Sequence, residues 1–350
     1  MDFDEKIEKV ENIMRGKNIV IAFSGGADST MVTYIANKVA NKCLAITFNN
    51  EIMPTTFLAD AKRIAKSIGI KHEIIDQNFL EIDKFKENKS DRCYLCRNIM
   101  YSNIKKSANE NGYETIVDGT NISDLLEDRP GIMVNYENNI LSPLVNAGIE
   151  KEEVIEFLNK NNIEYSKSTT CLATRIKTGE EITGKKINRI KYAEDLLKNL
   201  TKDDTLRVRD ISNTAQIETE NIDPLLNKKT LQLIESELKA VNFEKITLDV
   251  GTSSSEKKEI VIYKPCKDEA NKIMFENELP YKIDISKTCP NLENLGKLKC
   301  SEKMGVAMID IDGKNITLFE NGKIVARKVK DKEDAQNILI KVLPLIRRVI

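Results

Sequence analysis

The stretch that decides the fold is NIVIAFSGGADSTMVTYIA, residues 18–36. Residues 18–23 are mostly apolar and predict a buried strand, and apolar residues at helical spacing follow the polar turn. Glycines in the turn let backbone N–H groups approach an anion closely, and a helix N-terminus adds partial positive charge. Serine hydroxyls can donate further hydrogen bonds, and an aspartate can hold Mg²⁺ on bound phosphates. The predicted phosphate-binding residues are Ser24, Gly25, Gly26, Asp28 and Ser29.

The turn itself, SGGADS at residues 24–29, lacks the Gly-Lys-Ser/Thr ending of a Walker A loop. It resembles instead the signature of the PP-loop pyrophosphatases. That resemblance implies that ATP is cleaved between its α- and β-phosphates, that AMP passes to a substrate oxygen, and that pyrophosphate leaves. A Ser/Gly turn that only caps a helix is the alternative. The strand before the turn and the helix after it favour the ATP site.

Strands alternate with helices on both sides of this loop. Residues 42–48 and 71–76 have strand patterns, and residues 57–68 have a helical one. We therefore predict an α/β fold with a doubly wound parallel sheet, in which right-handed crossovers place the loop at the carboxyl edge. Thr47, at the end of the second strand, is expected to contact adenine or ribose. His72 begins the third strand, and we interpret it as structural.

Composition argues against a membrane protein and against a strongly basic nucleic-acid binder. The chain has 350 residues, with 54 lysines and arginines against 55 aspartates and glutamates, a formal net charge of −1. No apolar run reaches the length of a membrane span, and the first residues are charged throughout. We expect a cytoplasmic protein with no membrane partner, and tRNA is not an expected partner. The seven scattered cysteines are expected to be thiols or metal ligands before disulfides.

Three cysteines stand beside arginines. Cys93 and Cys96 lie in RCYLCR, residues 92–97, where a helix is expected to begin. A thioredoxin-like dithiol needs a preceding strand that is not predicted here, and a zinc site needs four ligands in a chain with one histidine. A structural pair of reduced thiols stays open. Cys171 lies near Arg175 in a polar loop, and such a cation favours the thiolate of a nucleophile or metal ligand.

Several motifs in one order resemble the LarE family, over roughly residues 5–250. LarE proteins are PP-loop sulfur transferases in the synthesis of the nickel-pincer nucleotide cofactor. The resemblance implies adenylation of a carboxylate of a pyridinium nucleotide, followed by transfer of sulfur to the activated carbon. It also implies a homo-oligomer. The motifs are SGGADS, RCYLCR, DGTNISDLLEDRPG, SPL, TTCLATRIKTGEEIT, AEDLL and LRVR.

Two sulfur strategies occur in that family. In one, the cysteine matching Cys171 is sacrificed and becomes dehydroalanine. In the other, that cysteine and a CxxC pair hold a 4Fe-4S cluster, which carries an extra sulfide from inorganic sulfide or another donor. This chain has all three cysteines, Cys93, Cys96 and Cys171, and we favour the cluster. Two residues depart from the family pattern: Thr170 stands where proline is frequent, and Ser123 where an acidic residue is common.

The LRVR motif is a predicted strand over residues 206–209. Arg207 and Arg209 would share one face of it and could clamp the phosphate of the acceptor. A solvated pair of arginines is the alternative. Arg175 is a candidate for stabilising transition-state charge, so the predicted catalytic residues are Cys171, Asp28 and Arg175.

We predict four parts of the chain. A PP-loop domain is followed by a substrate and oligomerisation region, a linker, and a small α+β domain with an Asn-Gly hairpin near Gly322. In the last part, Cys266, Cys289 and Cys300 match no metal signature, so they are expected to be thiols, with a second iron–sulfur site as the alternative. The predicted bounds are 1–175, 176–250, 251–258 and 259–350.

Other functions compete with this interpretation. Related PP-loop proteins with three-cysteine clusters are tRNA thiolases, but the net charge and the DGTN, CLATR and RVR motifs speak against one. A non-catalytic ATP-binding or iron–sulfur carrier would not need the acceptor site. An amidating PP-loop enzyme would need an N-terminal nucleophilic cysteine and a glutaminase segment, and we expect neither here.

Overall fold

The computed structural model describes most of the chain and divides it into two compact units. The loop unit comprises Met14–Gly119 and Ile155–Ser255, and the C-terminal unit comprises Met1–Ile13, Thr120–Val154 and Glu256–Ile350. The four-part division predicted from the sequence stays a prediction. The predicted linker and Cys266 lie outside the described residues. Those residues are 2–127, 129–167, 170–250, 261–263 and 273–350.

Strands and helices alternate in the first part of the chain, as the sequence pattern predicts. The described strands are β1 (Asn18–Ala22), β2 (Lys42–Asn49), β3 (His72–Asp76), β4 (Thr115–Val117), β5 (Arg207–Ile211), β6 (Thr214–Glu218), β7 (Lys245–Asp249), β8 (Val261–Tyr263), β9 (Ile273–Glu278), β10 (Lys297–Ser301), β11 (Val306–Ile311), β12 (Lys314–Phe319) and β13 (Lys323–Val329). The described α-helices are α1 (Phe3–Met14), α2 (Ala27–Val39), α3 (Phe57–Ile68), α4 (Asp83–Lys86), α5 (Arg92–Glu110), α6 (Ile122–Leu125), α7 (Met133–Glu137), α8 (Pro143–Ala147), α9 (Lys151–Lys160), α10 (Gly184–Thr201), α11 (Lys228–Ala240), α12 (Ile285–Leu292) and α13 (Lys332–Val342).

The loop unit is built on a parallel four-stranded sheet in the order β3-β2-β1-β4. The apolar residues at the centre of β1, from Ile19 to Ile21, are fully buried. A strand of a parallel sheet is covered on both faces by helices, which is why its sequence is apolar throughout. This confirms the predicted α/β fold of PP-loop type. A second sheet of the same unit has the order β5-β6-β7, and the sequence did not predict β6, β7 or α11.

The C-terminal unit contains a separate antiparallel sheet in the order β10-β11-β12-β13-β9-β8. The hairpin at Gly322, whose φ is 96°, joins β12 to β13 and pairs Ile316 with Ala326. This confirms the predicted Asn-Gly turn. Helix α13 ends at Val342, because Pro344 cannot continue the helical hydrogen bonds.

Cys289 and Cys300 form a disulfide that joins α12 to β10, with their Cα atoms 6.4 Å apart. The expectation that these two cysteines are thiols or ligands of a second iron–sulfur site is therefore wrong. They meet because α12 packs beside the edge strand, a tertiary contact that their spacing in sequence does not reveal. The other described cysteines are free: Cys43, Cys93, Cys96 and Cys171. No described helix has the length and apolar character of a membrane span.

Candidate active site

The phosphate-binding loop joins the end of β1 to the start of α2. Gly26 is the N-cap of α2, and no side chain caps the helix there, so its first N–H groups are directed toward the loop. The hydroxyl oxygens of Ser24 and Ser29 are hydrogen-bonded at 3.1 Å, and the Gly26 N–H donates to Ser24 Oγ at 3.3 Å. Gly25 has a φ of 76°, which favours glycine. The geometry is that of an anion cradle at a helix N-terminus.

The end of β4 packs directly against this loop. A Cβ atom at Gly119 would lie 2.6 Å from the backbone nitrogen of Ser29, closer than any side chain permits. Gly119 therefore allows the backbone after β4 to approach the first turn of α2. The neighbouring residue, Asp118, stands at the same carboxyl edge of the sheet and is 3% exposed.

Asp118 ties helix α5 to that edge. Its carboxylate accepts a short hydrogen bond from Arg97 Nη2 and another from the Tyr101 hydroxyl at 3.2 Å. Both donors lie on α5, and the Arg97 guanidinium also stands 5.4 Å from the ring of Tyr101. Burial raises the pKa of Tyr101, so its hydroxyl stays protonated as a donor. The contact fixes the first turns of α5, which carry Cys93 and Cys96, relative to the carboxyl edge of the parallel sheet.

Arg92 connects the same helix to the loop of Cys171. Its Nη1 donates to the carbonyl oxygen of Ala173 at 3.1 Å and makes a short hydrogen bond to Asn88 Oδ1. Its Nη2 lies 3.7 Å from the sulfur of Cys93. One guanidinium therefore contacts both Cys93 and the segment that follows Cys171.

Asn88 extends this connection. Its side chain is fully buried and donates to the carbonyl oxygens of Lys177 and Glu180, both at 2.9 Å. Its backbone has a φ of 53°, in the left-handed region that asparagine tolerates better than most residues. Asn88 thereby holds the segment after Arg175 against the start of α5. The sequence analysis missed this residue, because nothing in its neighbourhood marks a buried asparagine.

The three cysteines are close enough to influence one another. Burial raises the pKa of Cys96, and nearby Cys171 and Cys93 raise it further. Burial also raises the pKa of Cys171, with Cys93 adding to the effect and Arg92 opposing it. Within the described ranges, no three His, Cys, Asp or Glu side chains converge closely enough to hold one metal ion. The fold thus brings the three thiols near one another.

Cys171 is held near the phosphate-binding loop by backbone hydrogen bonds on both sides. The Ser166 N–H donates to the Gly25 carbonyl at 2.8 Å, and the Leu172 N–H donates to the Ile52 carbonyl at 2.7 Å. Gly25 belongs to the loop, and Ile52 follows β2. Both bonds place the Cys171 segment at the carboxyl edge of the parallel sheet.

Thr47 has partners inside the sheet. It is 1% exposed, and its hydroxyl donates to the Phe23 carbonyl at 2.7 Å and lies 2.8 Å from His72 Nε2. The single histidine, interpreted as structural from the sequence, thus contacts a neighbouring strand of the sheet. The predicted contact of Thr47 with ATP stays a prediction.

Arg175 forms a buried ion pair. Its Nε lies 2.8 Å from Glu194 Oε1, and the two side chains are 4% and 2% exposed. The same oxygen accepts the N–H of Val208 in β5 at 3.2 Å, and Arg175 Nη1 donates to Thr174 Oγ1 at 2.8 Å. Arg175 therefore joins the Cys171 loop to α10 and β5. Its predicted role at the transition state stays a prediction.

Arg207 and Arg209 share one face of β5, as predicted, but their surroundings differ. Arg209 makes a short ion pair with Glu218 and donates to the Thr174 carbonyl at 3.4 Å. The guanidinium of Arg207 makes no hydrogen bond or ion pair with the residues that the structure describes. Burial lowers the pKa of Arg207, and the charges of Arg175 and Arg209 lower it further. Arg207 is a half-buried cation with other positive charges nearby, and an anionic ligand bound there would offset their repulsion.

Comparison with known proteins finds one matching family model and several relatives of this chain. The family model of the queuosine biosynthesis protein QueC matches residues 18–127. The uncharacterized protein MJ0830 of Methanocaldococcus jannaschii is 32% identical over 256 residues, which cover 71% of this chain and 98% of that protein. The uncharacterized protein slr1717 of a Synechocystis species is 32% identical over 250 residues, covering 70% of this chain and 93% of that protein.

This chain belongs to the family of MJ0830 and slr1717. It is also 27% identical over 242 residues to the pyridinium-3,5-bisthiocarboxylic acid mononucleotide synthase of Lactiplantibacillus plantarum, covering 67% of this chain and 86% of that enzyme. Together with the parallel sheet and the glycine loop, these matches identify residues 18–127 as part of a PP-loop nucleotide-binding fold.

Proposed function

We propose that this protein is an ATP-dependent sulfur transferase that adenylates a carboxylate of a pyridinium nucleotide and then replaces the AMP with sulfur. The observation that carries the proposal is the grouping of Cys93, Cys96 and Cys171 at the edge of the sheet that bears the phosphate-binding loop. The name of the Lactiplantibacillus relative, a pyridinium-3,5-bisthiocarboxylic acid mononucleotide synthase, supports the class of acceptor.

The first step is assigned to the loop. A carboxylate oxygen of the acceptor attacks the α-phosphorus of ATP, and pyrophosphate leaves with the electron pair of the broken P–O bond. The first N–H groups of α2 and the hydroxyls of Ser24 and Ser29 would bind the departing pyrophosphate. Asp28, in the first turn of α2, would hold Mg²⁺. Arg207 would bind the phosphate of the acceptor.

The second step requires a sulfur donor, and the three cysteines are proposed to hold it as a 4Fe-4S cluster. Cys171 and Cys93 both raise the pKa of Cys96, so the three thiols lie close to one another, as the ligands of one cluster must. Arg92 and Arg97, close enough to oppose the rise in the pKa of Cys96, would offset the negative charge of the thiolates. Three thiolates would leave one iron of such a cluster without a protein ligand, and the cluster would supply the sulfide that replaces AMP on the acceptor.

The alternatives predict different products. In the sacrificial route Cys171 itself donates its sulfur, and the protein turns over once. In the tRNA thiolase route the acceptor is a nucleic acid, whose binding would weaken steeply with salt. Arg207 is half-buried and has no ion pair among the described residues, which favours a small phosphate-bearing acceptor, because a guanidinium can bind one phosphate through two hydrogen bonds.

The testing experiment is anaerobic reconstitution with iron and sulfide, followed by iron analysis and an absorption spectrum. We expect about four irons per chain in the wild type, a loss of iron in Cys96→Ala and Cys171→Ala, and no loss in Cys43→Ala. Cys43 is the matched control because it is also a free cysteine of the loop unit. Protein without bound iron, in which Cys171 loses its sulfur after one turnover, would replace the cluster route with the sacrificial one.

The acceptor is tested separately with pyridinium biscarboxylic acid mononucleotide. We expect pyrophosphate release that depends on this compound, and no salt-sensitive retention of bulk tRNA on a filter. A carrier protein would release no pyrophosphate with any acceptor. A thiolase would retain tRNA, and either result would contradict the proposed function.

A further inference from the structure

The disulfide of the C-terminal unit joins a sheltered sulfur to an accessible one. Cys289 lies in α12, is half-buried and packs against the apolar core of the unit, whereas Cys300 is exposed. Cys300 lies on β10, the first strand in the order of the antiparallel sheet, so no described strand covers its outer edge. A disulfide is opened by a thiolate that reaches one of its sulfurs, and access decides which sulfur is attacked. Cys300 is therefore the side of this pair that an outside sulfur compound would reach.

The helix that carries Cys289 is held in place by contacts other than the disulfide. The backbone N–H of Arg347 donates to the Thr288 hydroxyl oxygen at 2.9 Å, and the N–H of Asp284 donates to the Arg347 carbonyl at 2.7 Å. Thr288 and Leu292, on the same helix, are fully buried. Because these contacts do not involve either sulfur, α12 should stay packed when the disulfide is reduced.

Strand β10 is held independently as well. It pairs antiparallel with β11, which sets Leu298 opposite Ile309 and Cys300 opposite Ala307, and both partners on β11 are buried. The Cα atoms of Cys300 and Cys289, 6.4 Å apart, are therefore positioned by strand pairing on one side and helix packing on the other. A pair held in this way can change between dithiol and disulfide while the unit stays folded.

Positive charge flanks the accessible cysteine along the chain. Lys297, Lys299 and Lys303 are exposed and form no ion pair with the residues that the structure describes, and Glu302 is the one acidic residue of this stretch. Nearby cations favour the thiolate form of a cysteine and attract anionic reagents. An ionised persulfide is an anionic reagent that carries a transferable sulfur atom. An exposed, nucleophilic cysteine beside a second cysteine that can resolve its product suits such a donor.

We propose that Cys300 and Cys289 form a site that accepts the outer sulfur of a persulfide and releases it as sulfide. The Cys300 thiolate attacks the outer sulfur of the donor RS–SH, the S–S bond of the donor breaks, and RS⁻ leaves with its electron pair. Cys300 then carries a persulfide. The Cys289 thiolate attacks the Cys300 sulfur, HS⁻ leaves, and the disulfide of the structure is the product.

The electrons of this reaction balance. The two thiolates lose two electrons when they form the disulfide, and the transferred sulfur gains them and leaves as sulfide. A dithiol reductant then restores both thiols by exchange. The released sulfide would supply the proposed cluster, and only this use of it rests on the proposed function. Its release needs neither ATP, nor an acceptor, nor iron.

The test uses the full-length, metal-free protein, which is reduced with dithiothreitol and then freed of it under anaerobic conditions. Glutathione persulfide is the donor, and ATP is omitted. Free sulfide is measured with a fluorescent probe, and the state of each cysteine by alkylation and mass spectrometry of its peptide. In the wild type we expect sulfide release together with the disulfide of Cys289 and Cys300, one sulfide for each disulfide that forms.

The variants separate the two steps. In Cys289→Ser, Cys300 should keep the transferred sulfur as a persulfide, and the rate of sulfide release should fall about tenfold or more, because no neighbouring thiolate displaces it. In Cys300→Ser, neither the persulfide at this position nor the disulfide should form. Cys43→Ala removes a free cysteine of the loop unit and is the matched control, which should behave like the wild type.

Defined outcomes would overturn the proposal. One is sulfide release by Cys300→Ser at the rate of the wild type, and another is a Cys289→Ser protein in which Cys300 gains glutathione instead of a sulfur atom. A disulfide that dithiothreitol reduces only in denaturant, or a reduced protein whose circular dichroism shows unfolding, would give the bond a structural role alone. Because the assay omits ATP and iron, its failure is distinguishable from a failure of the proposed function.

Discussion

Arg92 Nη1 donates a hydrogen bond to the carbonyl oxygen of Ala173 at 3.1 Å, across 81 positions of sequence. Arg92 precedes Cys93 at the start of α5, and Ala173 follows Cys171. The bond therefore joins the two segments whose cysteines make up the candidate sulfur site. Because it is a charged donor on a carbonyl acceptor, it is stronger than a typical neutral hydrogen bond.

Replacing Arg92 should separate the cysteines. In Arg92→Met, we expect the population with Cys93 close to Cys171 to fall about tenfold or more, since a hydrogen bond to a charged group contributes about 1.5–3 kcal/mol. The measurement is the yield of a dibromobimane cross-link between peptides containing Cys93 and Cys171, read by mass spectrometry in metal-free protein. Lys106→Met, an exposed change on the same helix, is the control. An unchanged cross-link yield in Arg92→Met would show that Arg92 does not position Cys93 relative to Cys171.

Gly119 should not accept a side chain. We expect Gly119→Ala to lower the free energy of unfolding by about 1–3 kcal/mol, because its Cβ atom would press on the backbone of Ser29. ATP binding by calorimetry should weaken as well, since the first turn of α2 would shift. In Gly184→Ala, the nearest atom to the new Cβ is 3.8 Å away, so this control should change stability by less than about 0.5 kcal/mol. Equal stability of the two variants would contradict the close approach.

Breaking the buried ion pair of Arg175 and Glu194 should lower the free energy of unfolding strongly. Glu194→Gln leaves the buried guanidinium without a charged partner, and we expect a loss of about 3–5 kcal/mol in urea unfolding. Glu235→Gln removes the exposed pair with Lys239 and should cost less than about 1 kcal/mol. A small effect at Glu194 would indicate that the pair is reached by water.

Arg207→Ala should weaken acceptor binding while leaving the fold intact. Its guanidinium makes no described hydrogen bond or ion pair, so the free energy of unfolding should change by less than about 1 kcal/mol. The ligand for this test is nicotinic acid mononucleotide, a pyridinium nucleotide that carries the same kind of phosphate as the proposed acceptor. Loss of a charged contact to that phosphate should reduce its affinity, measured by calorimetry, by about tenfold to a hundredfold. Arg63→Ala, on an exposed pair with Asp60, is the control. Equal affinities in the two variants would argue against a phosphate contact at Arg207.

His72 should make the protein less stable as the pH falls. Burial lowers the pKa of His72 below its ordinary value of 6.5, and the charge of Lys62 lowers it further. Below pH 6.5 the unfolded chain takes up a proton that the folded chain does not, so stability decreases until the folded pKa is reached. The slope is at most about 1.4 kcal/mol per pH unit.

This effect can be isolated because the chain has one histidine. Urea unfolding between pH 5.5 and 7.5 should show the slope in the wild type and lose it in His72→Gln. A proton NMR titration of the imidazole should give a pKa below 6.5. A titration at or above that value would contradict the burial of the ring.

Local sequence patterns were sufficient to predict much of the secondary structure of the loop unit. The strand over residues 18–22, the glycine turn and the helix at Ala27 follow from periodicity and from the backbone freedom of glycine within a few residues. The start of α5 at RCYLCR was also predicted. The strands β6 and β7 were missed, because short strands on a half-exposed sheet carry a weak pattern.

The contacts that assemble the site were beyond sequence reasoning. The arginines of RCYLCR were visible, yet nothing local reveals that Arg92 reaches Ala173 and that Arg97 reaches Asp118. The buried partner of Arg175, at Glu194, and the disulfide of Cys289 with Cys300 were hidden in the same way. These partners are distant in sequence and are selected by how whole elements pack.

The sequence by itself determined that a parallel α/β sheet carries a phosphate-binding turn and that a cysteine pair opens a helix, because these features depend on short-range periodicity and on single glycines. Only the tertiary structure decided which arginine side chains form internal ion pairs and which are available to bind a ligand. Arg175 and Arg209 have acidic partners, whereas Arg207 has none among the described residues. The physical reason is that a charge acquires its role from the neighbours that packing brings to it.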